Sequence, residues 1–482
     1  MSRVQDFSKA PLAVDLDFTL LRTDSLLEQL TSLIFRRPLD ALRALAALPS
    51  GRTRFKARVA DLAGFDPATV PYRQELLDYI RAEKASGRQV HLVTAADRRV
   101  AEAVAAHVDL FDTVEASDSE RNLKGSNKAE RLAERFPAGY VYAGDHAADL
   151  KVWAGAEAVL LVGAKPSVAR RAKALGKPVE VEIQNPRAGL KIWRKALRLH
   201  QWAKNILVFV PLLLGHRYSD PHADLMVLAA FVCMGMVASS TYVVNDLADL
   251  AADRQHATKR RRPFASGDLS ISQGVGMAAI LFLCGFAVAA AVSPMLCVGL
   301  AGYAFLTLAY TFRLKRLAVI DVAALGLLYT TRVLIGSWMA QAPPSVWLLT
   351  FCMFFFLSIS LAKRYAEIFA MAVEGPVVAI AGRGYRTGDG PAVLALGVGA
   401  SVASVLIIVL YLTEEAFPSG LYHHPDWLWT APFILMLWTS RVWLLAGRGE
   451  LDEDPVAFAL RDRFSWALAV PLLIAFGCAL VR

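Results

Sequence analysis

Asn245-Asp246-Leu247-Ala248-Asp249-Leu250-Ala251-Ala252-Asp253-Arg254-Gln255-His256-Ala257-Thr258-Lys259-Arg260-Arg261-Arg262-Pro263 follows a long apolar run, and its reading decides how the rest of the chain is read. Carboxylates at the end of a bilayer-length segment are costly unless they meet cations or water, so function is the default reading. On a helix, Asp246, Asp249 and Asp253 fall within about 60° of one another and form one acidic stripe. The stripe is about 10 Å long, too long for one ion and suited to metal ions bridging a diphosphate. Lys259 and Arg262 are placed to take the remaining diphosphate oxygens. A solvated acidic turn balanced by a basic topogenic loop is the plain alternative.

Outward from this stretch, residues 204–482 divide into nine candidate spans: 204–216, 223–243, 272–292, 295–312, 318–340, 345–369, 391–412, 427–446 and 464–481. Several approach the ~20 residues that a bilayer core requires, and the first is short. Alternate loops (243–271, 312–317, 363–390, 447–463) hold 15 Lys and Arg, whereas the opposite set holds only Arg217. That asymmetry predicts a cytoplasmic N-terminus and a C-terminus outside, in a multi-pass inner-membrane protein. Trp338, Trp347, Trp427 and Trp429 fall near the outer span ends, where aromatic belts are expected. The chain has 482 residues, 55% of them hydrophobic and 20% charged, which excludes a disordered protein and argues against a wholly soluble enzyme. The net charge of +9 is concentrated in short loops, which points to a membrane surface and anionic substrates and not to nucleic acid. All five cysteines lie inside apolar runs, so they read as packing residues and not as a disulfide framework. No signal peptide is visible at the polar N-terminus.

Residues 1–185 read as a separate α/β domain, and 186–203 as a basic amphipathic linker helix. In that helix Leu190, Trp193 and Leu197 share one face, which suits an in-plane helix near anionic head groups. A positive-inside anchor without a ligand is the simpler reading. Strands are expected at Leu12–Leu16, Val90–Thr94, Tyr140–Ala143 and Ala158–Val162, with helices at Glu75–Ser86 and Asp97–His107. This alternation predicts a parallel, helix-covered sheet with ligands at the strand C-termini. The polar residues that follow the strands are Val14-Asp15-Leu16-Asp17-Phe18-Thr19, Thr94, Gly125-Ser-Asn-Lys128 and Gly144-Asp145-His-Ala-Ala-Asp149. Singly, each has a dull explanation such as helix capping.

All four elements in order resemble the haloacid-dehalogenase (HAD) superfamily of phosphatases, over about residues 1–165. The resemblance implies Asp15 as nucleophile and Asp17 as general acid/base. It implies phosphate contacts from Thr94 and Lys128, and a Mg²⁺ site from Asp15, the Asp17 backbone carbonyl, Asp145 and Asp149. Phe18 stands where the superfamily usually has glycine. Residues 22–80 look like a helical cap.

The acidic stretch from Asn245 to Pro263 resembles the UbiA superfamily of intramembrane prenyltransferases, whose helical bundle has nine spans. Trp202-Ala-Lys204-Asn205, Ala362-Lys363-Arg364-Tyr365-Ala366-Glu367 and Ala459-Leu-Arg461-Asp462-Arg463 narrow the likeness to decaprenyl-phosphate phosphoribosyltransferases. That branch moves phosphoribose from phosphoribosyl pyrophosphate to a polyprenyl phosphate. The resemblance implies Mg²⁺ on Asp246, Asp249 and Asp253. Quinone-type members carry a second aspartate-rich motif; here Tyr310–Asp321 offers one acid, Asp321, beside Lys315. Arg332 lies eleven residues on and shares its helical face, which leaves open whether the two pair or contact the ribose phosphate. Substrate contacts are expected from Lys204, Asn245, Lys259, Arg262, Lys315, Asp321, Arg332, Lys363, Arg364 and Glu367. For the 363–367 group, snorkelling anchors are the bland reading.

The two halves together predict a bifunctional enzyme that transfers phosphoribose and then removes the 5-phosphate. One alternative is an aromatic or quinone-type prenyltransferase fused to an unrelated phosphatase. The other is a membrane-anchored phosphatase with a non-catalytic membrane domain. Prenyl length and oligomeric state, including a homo-oligomer, stay open.

Overall fold

The computed structural model describes residues 10–118, 121–185, 189–372, 379–380, 383–451, 458–459 and 461–481. The chain divides into two compact units, one formed by the residues up to Leu197 with Tyr242–Ala279, the other by Arg198–Thr241 and the chain from Ile280.

The first unit is built on a six-stranded parallel sheet in the order β3-β2-β1-β4-β5-β6. The strands are β1 Leu12–Val14, β2 Val90–Asp97, β3 Thr113–Ser117, β4 Val141–Gly144, β5 Ala158–Val162 and β6 Val179–Ile183. β1, β4 and β5 are continuous buried apolar runs, as expected when helices cover both faces of a sheet. β3 and β6 are additions to the four expected strands. Both lie at the sheet edges, and β6 alternates Val-Glu-Val-Glu-Ile with mixed exposure. β1 ends two residues earlier than expected because the chain turns sharply after Asp15, with Phe18 at φ 58°.

Between β1 and β2 lies the cap: α1 Ser25–Arg36, α2 Pro38–Leu45 and α3 Arg52–Ala63 pack around Leu33, Ala44, Phe55 and Val59. α4 Gln74–Ala85 returns the chain to the sheet. α5 Arg98–Val108 and α6 Ser126–Arg135 follow β2 and β3.

In the same unit, the cap is fastened to the segment 242–279. Arg254 donates to both carboxylate oxygens of Glu28 at 3.0 and 2.6 Å and to the Thr69 carbonyl at 3.0 Å. Arg22 pairs with Asp268 at 2.9 Å. Leu27 and Phe35 of α1 pack on a cluster that includes Val243, Leu247, Phe264 and Ile271. The linker helix Leu190–Ala196 joins this cluster through Ile192 and Trp193, so Trp193 faces protein, while Leu190 stays exposed.

Among the described residues, eight helices are long and apolar enough to cross a membrane, against the nine spans expected. The expected first span falls in Leu199–Leu214, a shorter helix with 3₁₀ geometry over Leu199–Phe209. The steeper 3₁₀ rise still gives this run a reach of about 30 Å, near the thickness of a bilayer core. The cysteines are free.

Candidate active sites

All six residues expected at the phosphatase site line one cavity of about 410 Å³: Asp15, Asp17, Thr94, Lys128, Asp145 and Asp149. The sheet explains the convergence. β1, β2 and β4 are adjacent parallel strands, so the residues at their C-terminal ends meet at one edge. Lys128, in the first turn of α6, places its Nζ 2.9 Å from Asp15 Oδ1 and donates to the Tyr142 hydroxyl at 2.7 Å. Tyr142 in turn donates to Asp149 Oδ1 at 3.1 Å. The Thr94 hydroxyl is buried and accepts from Ala96 N–H at 3.0 Å.

The electrostatics separate the carboxylates by role. Asp17 accepts from Ser25 N–H at the start of α1, at 2.8 Å. Burial, reinforced by Asp24, pushes its pKa to about 7, the range of a group that can give and take a proton near neutrality. Burial and the neighbouring Asp15 and Asp149 push Asp145 to about 8, and burial beside Asp15 also raises Asp149. Asp15, Asp145 and Asp149 each offer an oxygen within 4.8 Å of the others. This crowded, all-oxygen donor set, strained by its own charge, fits Mg²⁺.

Several contributors escaped the sequence reading. Arg73, 2% exposed, donates to the Phe18 and Thr19 carbonyls at 3.1 Å each and clamps the loop after Asp15 from more than 50 positions away. Lys56 and Arg52 of α3, with Lys124, give the cavity a basic wall; burial lowers the Lys56 pKa. A lone arginine or lysine in a helical stretch carries no sequence signal.

The acidic stretch is not one uninterrupted helix, as the periodicity predicted. The span helix Pro221–Ala248 ends before Asp249, which sits at the N-terminus of a short helix Leu250–Gln255. Backbone bonds bridge the offset, from Asp249 N–H to the Asn245 carbonyl at 3.0 Å and from Asp253 N–H to the Asp249 carbonyl at 2.8 Å. Asp246 and Asp253 are both buried and share Arg262, whose Nη1 lies 3.2 and 2.6 Å from them. The stretch is rich in carboxylate oxygens, the donor type Mg²⁺ takes, but its three aspartates do not converge as closely as Asp15, Asp145 and Asp149 do. Lys259 opens a 3₁₀ turn ahead of Arg262.

The remaining expected residues belong to the second unit, where Asp321, Arg364 and Glu367 form one network and Lys204 and Arg332 another. Asp321 and Arg332 share the helix Ile320–Met339 but do not pair. Asp321 is fully buried, accepts from the Tyr385 hydroxyl at 2.7 Å and forms an ion pair with Arg364 at 2.9 Å. Arg364 also binds Glu367. Because the helix runs on from Val346 to Ala372, Arg364 is enclosed, and the snorkelling reading fails for it. Arg332 donates to Asn205 Oδ1 and to the Tyr303 hydroxyl, each at 3.0 Å. Lys204 lies over the Tyr329 ring at 5.9 Å, and Arg332 faces the same ring at 5.4 Å. Lys315 lies on the turn Leu314–Arg316, and Lys363 is half-buried one position before Arg364. Asp462 caps the helix Arg463–Leu480 and pairs with Arg441 at 2.6 Å.

In comparison with known proteins, residues 206–469 match the UbiA prenyltransferase family. The chain belongs to the UbiA prenyltransferase family. Residues 12–153 match the haloacid dehalogenase-like hydrolases, so this UbiA member carries an N-terminal HAD-like domain. An uncharacterized protein of Sinorhizobium fredii, y4nM, is 40% identical over 98% of this chain and 91% of its own length. Nodulation protein NoeC of Azorhizobium caulinodans is 34% identical over 59% of this chain and 93% of its own. The decaprenyl-phosphate phosphoribosyltransferase of Mycobacterium tuberculosis is 31% identical over 59% of this chain and 94% of its own. The protein is thus a multi-pass membrane enzyme joining a UbiA-type transferase to a HAD-type hydrolase.

Proposed function

We propose that this UbiA member transfers 5-phosphoribose from phosphoribosyl pyrophosphate to a polyprenyl phosphate and then removes the 5-phosphate, leaving polyprenyl-phosphoryl ribose. The first step is supported above all by the relationship to decaprenyl-phosphate phosphoribosyltransferase over nearly all of that enzyme's length. The functional boundaries we assign are 1–185 for the phosphatase, 186–203 for the linker and 204–482 for the transferase. The loop charges put the phosphatase in the cytoplasm.

In the transfer, the C1–O bond to pyrophosphate breaks as a lipid phosphate oxygen bonds to C1, and pyrophosphate leaves. Asp246, Asp249 and Asp253 would hold Mg²⁺, which supplies charge neutralisation for the diphosphate. Arg262 and Lys259 take oxygens of the leaving group. Lys204, Lys315, Arg332 and Lys363 contribute positive charge for the substrates' phosphates. Asp321 and Glu367 position Arg364.

In the hydrolysis, an Asp15 carboxylate oxygen bonds to the 5-phosphate phosphorus, and the P–O bond to ribose breaks. Asp17 protonates the departing ribose oxygen, then takes a proton from the water that cleaves the aspartyl phosphate. Thr94 and Lys128 hold the phosphoryl oxygens. Mg²⁺ held by Asp15, Asp145, Asp149 and the Asp17 carbonyl would offset the charge between nucleophile and phosphate. A phosphatase on the same chain meets the transfer product at high effective concentration.

The test is mass spectrometry of the lipid after full-length protein is mixed with Mg²⁺, phosphoribosyl pyrophosphate and a polyprenyl phosphate. A gain of a pentose in wild type, replaced by a pentose phosphate in Asp15→Asn, is the expected result. Pentose phosphate from wild type would refute the second step. An unchanged lipid would refute the first and favour prenyl-diphosphate chemistry.

A further inference from the structure

The cap carries an apolar face that the rest of the described protein leaves exposed. Leu39 is 70% exposed, Leu42 64%, Leu48 49% and Ile34 46%. Leu39, Leu42 and Leu45 recur every third position of α2, so they line one side, while Ala41 and Ala44 turn inward to the cap core. Arg36, Arg37, Arg43, Arg52 and Arg54 are exposed in the same stretch, which contains a single acid, Asp40. Leucines standing out of a ring of arginines are the composition of a helix that lies in a lipid interface. Patches of this kind on soluble surfaces are otherwise avoided.

We propose that this face of the cap docks on an anionic bilayer surface and presents a lipid-borne phosphomonoester to the Asp15 cavity. Three further observations favour a bilayer over a second copy of the chain. The arginines match anionic head groups, whereas a second copy would bring the same positive charges together. The cap is already fastened near the bilayer: Leu27 and Phe35 of α1 pack against Val243, Leu247 and Ile271, at the ends of two span helices. The patch also runs into the active site, because Leu48 and Arg52 line the cavity together with Leu26. A substrate's apolar chain would follow the leucines while a phosphate near it meets Arg52 and Lys56. Docking itself needs only the surface; delivery of the substrate rests on the proposed function.

The test is hydrogen exchange on the full chain, held one copy per nanodisc of neutral lipid or of neutral lipid with anionic phosphatidylglycerol, and in detergent at two protein concentrations. Docking predicts slower exchange across residues 36–50 in nanodiscs than in detergent, slowest with anionic lipid, and roughly ten-fold faster exchange in Leu39→Gln/Leu42→Gln. Protection that appears in detergent and grows with protein concentration would assign the face to a second copy. Equal exchange in all conditions would overturn the proposal outright. For delivery, the double variant should retain pentose phosphate on the lipid while hydrolysing soluble ribose 5-phosphate as wild type does. Equal loss on both substrates would refute delivery. If wild type acts on neither substrate, the proposed function fails while the exchange result still decides docking.

Discussion

Asp15, Asp145 and Asp149 crowd their oxygens within 4.8 Å of each other with a lysine at one edge, whereas Asp246 and Asp253 have an arginine between them. In the phosphatase site the charge is left largely uncompensated, and burial with repulsion from neighbouring carboxylates drives the pKa values of Asp145 and Asp149 up. Such a site is preformed for a cation and strained without one. In the transferase stretch Arg262 already balances much of the charge. On the proposed function, a diphosphate with its metal would redirect Arg262 from carboxylates to phosphate, so substrate arrival there would entail rearrangement. The first cluster is therefore arranged for a metal before substrate comes, whereas the second, on the proposed function, would take metal and substrate together.

The largest effects separate the two clusters by activity. Asp15→Asn should lower phosphate release from a soluble phosphomonoester by about 10⁴-fold or more, since an amide is a far poorer nucleophile than a carboxylate. Phosphoribosyl transfer, followed as pyrophosphate release, should be unchanged. Asp246→Asn should lower transfer by about 100-fold or more and leave the phosphatase rate intact. Loss of both activities in either variant would break the comparison, because it would make the clusters one functional unit.

Most of the phosphatase site was legible because parallel sheets put chemistry at strand ends, and the strand ends are visible as apolar runs stopped by polar residues. Asp15 and Asp145 follow that rule, Thr94 lies inside β2, which runs on to Asp97, and Lys128 sits in the first turn of α6. Arg73 was not legible. Its role is to hold two carbonyls of a loop 54 positions away, a contact that only the folded chain creates. Tyr142 was hidden for another reason, since within β4 it reads as one more apolar strand residue. In the membrane half the apolar runs revealed the helices, but periodicity assumed a straight helix through Asp249. For the charges at 363–367, exposed snorkelling anchors are the bland alternative to substrate contact, because basic residues near span ends are usually exposed. Burial of Arg364 depends on Asp321, which comes from another helix.

A smaller effect tests whether the phosphatase cluster is strained without metal. With Asp17 near 7 and Asp145 near 8, the folded protein holds more protons than the unfolded chain between about pH 4 and 8. Metal-free stability of the N-terminal unit should therefore fall as pH rises through that window. Mg²⁺ reverses the loss only where the carboxylates are ionised. Chelation should lower the unit's apparent Tm by roughly 5 °C at pH 8 and by little at pH 5. In Asp145→Asn the difference between the two pH values should shrink. A chelation effect equal at both would mean that the crowding is relieved by something other than the metal.

The smallest effect concerns Phe18, which holds φ 58° where the HAD resemblance leads one to expect glycine. A bulky side chain in this left-handed region costs about 1 kcal/mol or more, and glycine removes that cost. The loop is kept in place regardless by Arg73 on the Phe18 carbonyl and by the bond from Phe18 N–H to the Thr23 carbonyl at 3.1 Å. Opposing the relief, glycine adds unfolded-state entropy and removes a half-buried ring from the cavity wall. The two tendencies nearly cancel, so Phe18→Gly should change stability by under about 1 kcal/mol while loosening the grip on substrate. The expected signature is a higher KM with kcat almost unchanged. A kcat that falls with KM constant would instead make the strain itself part of how Asp15 and Asp17 are aimed, and the phosphatase cluster would then be preformed by its backbone as much as by its charge.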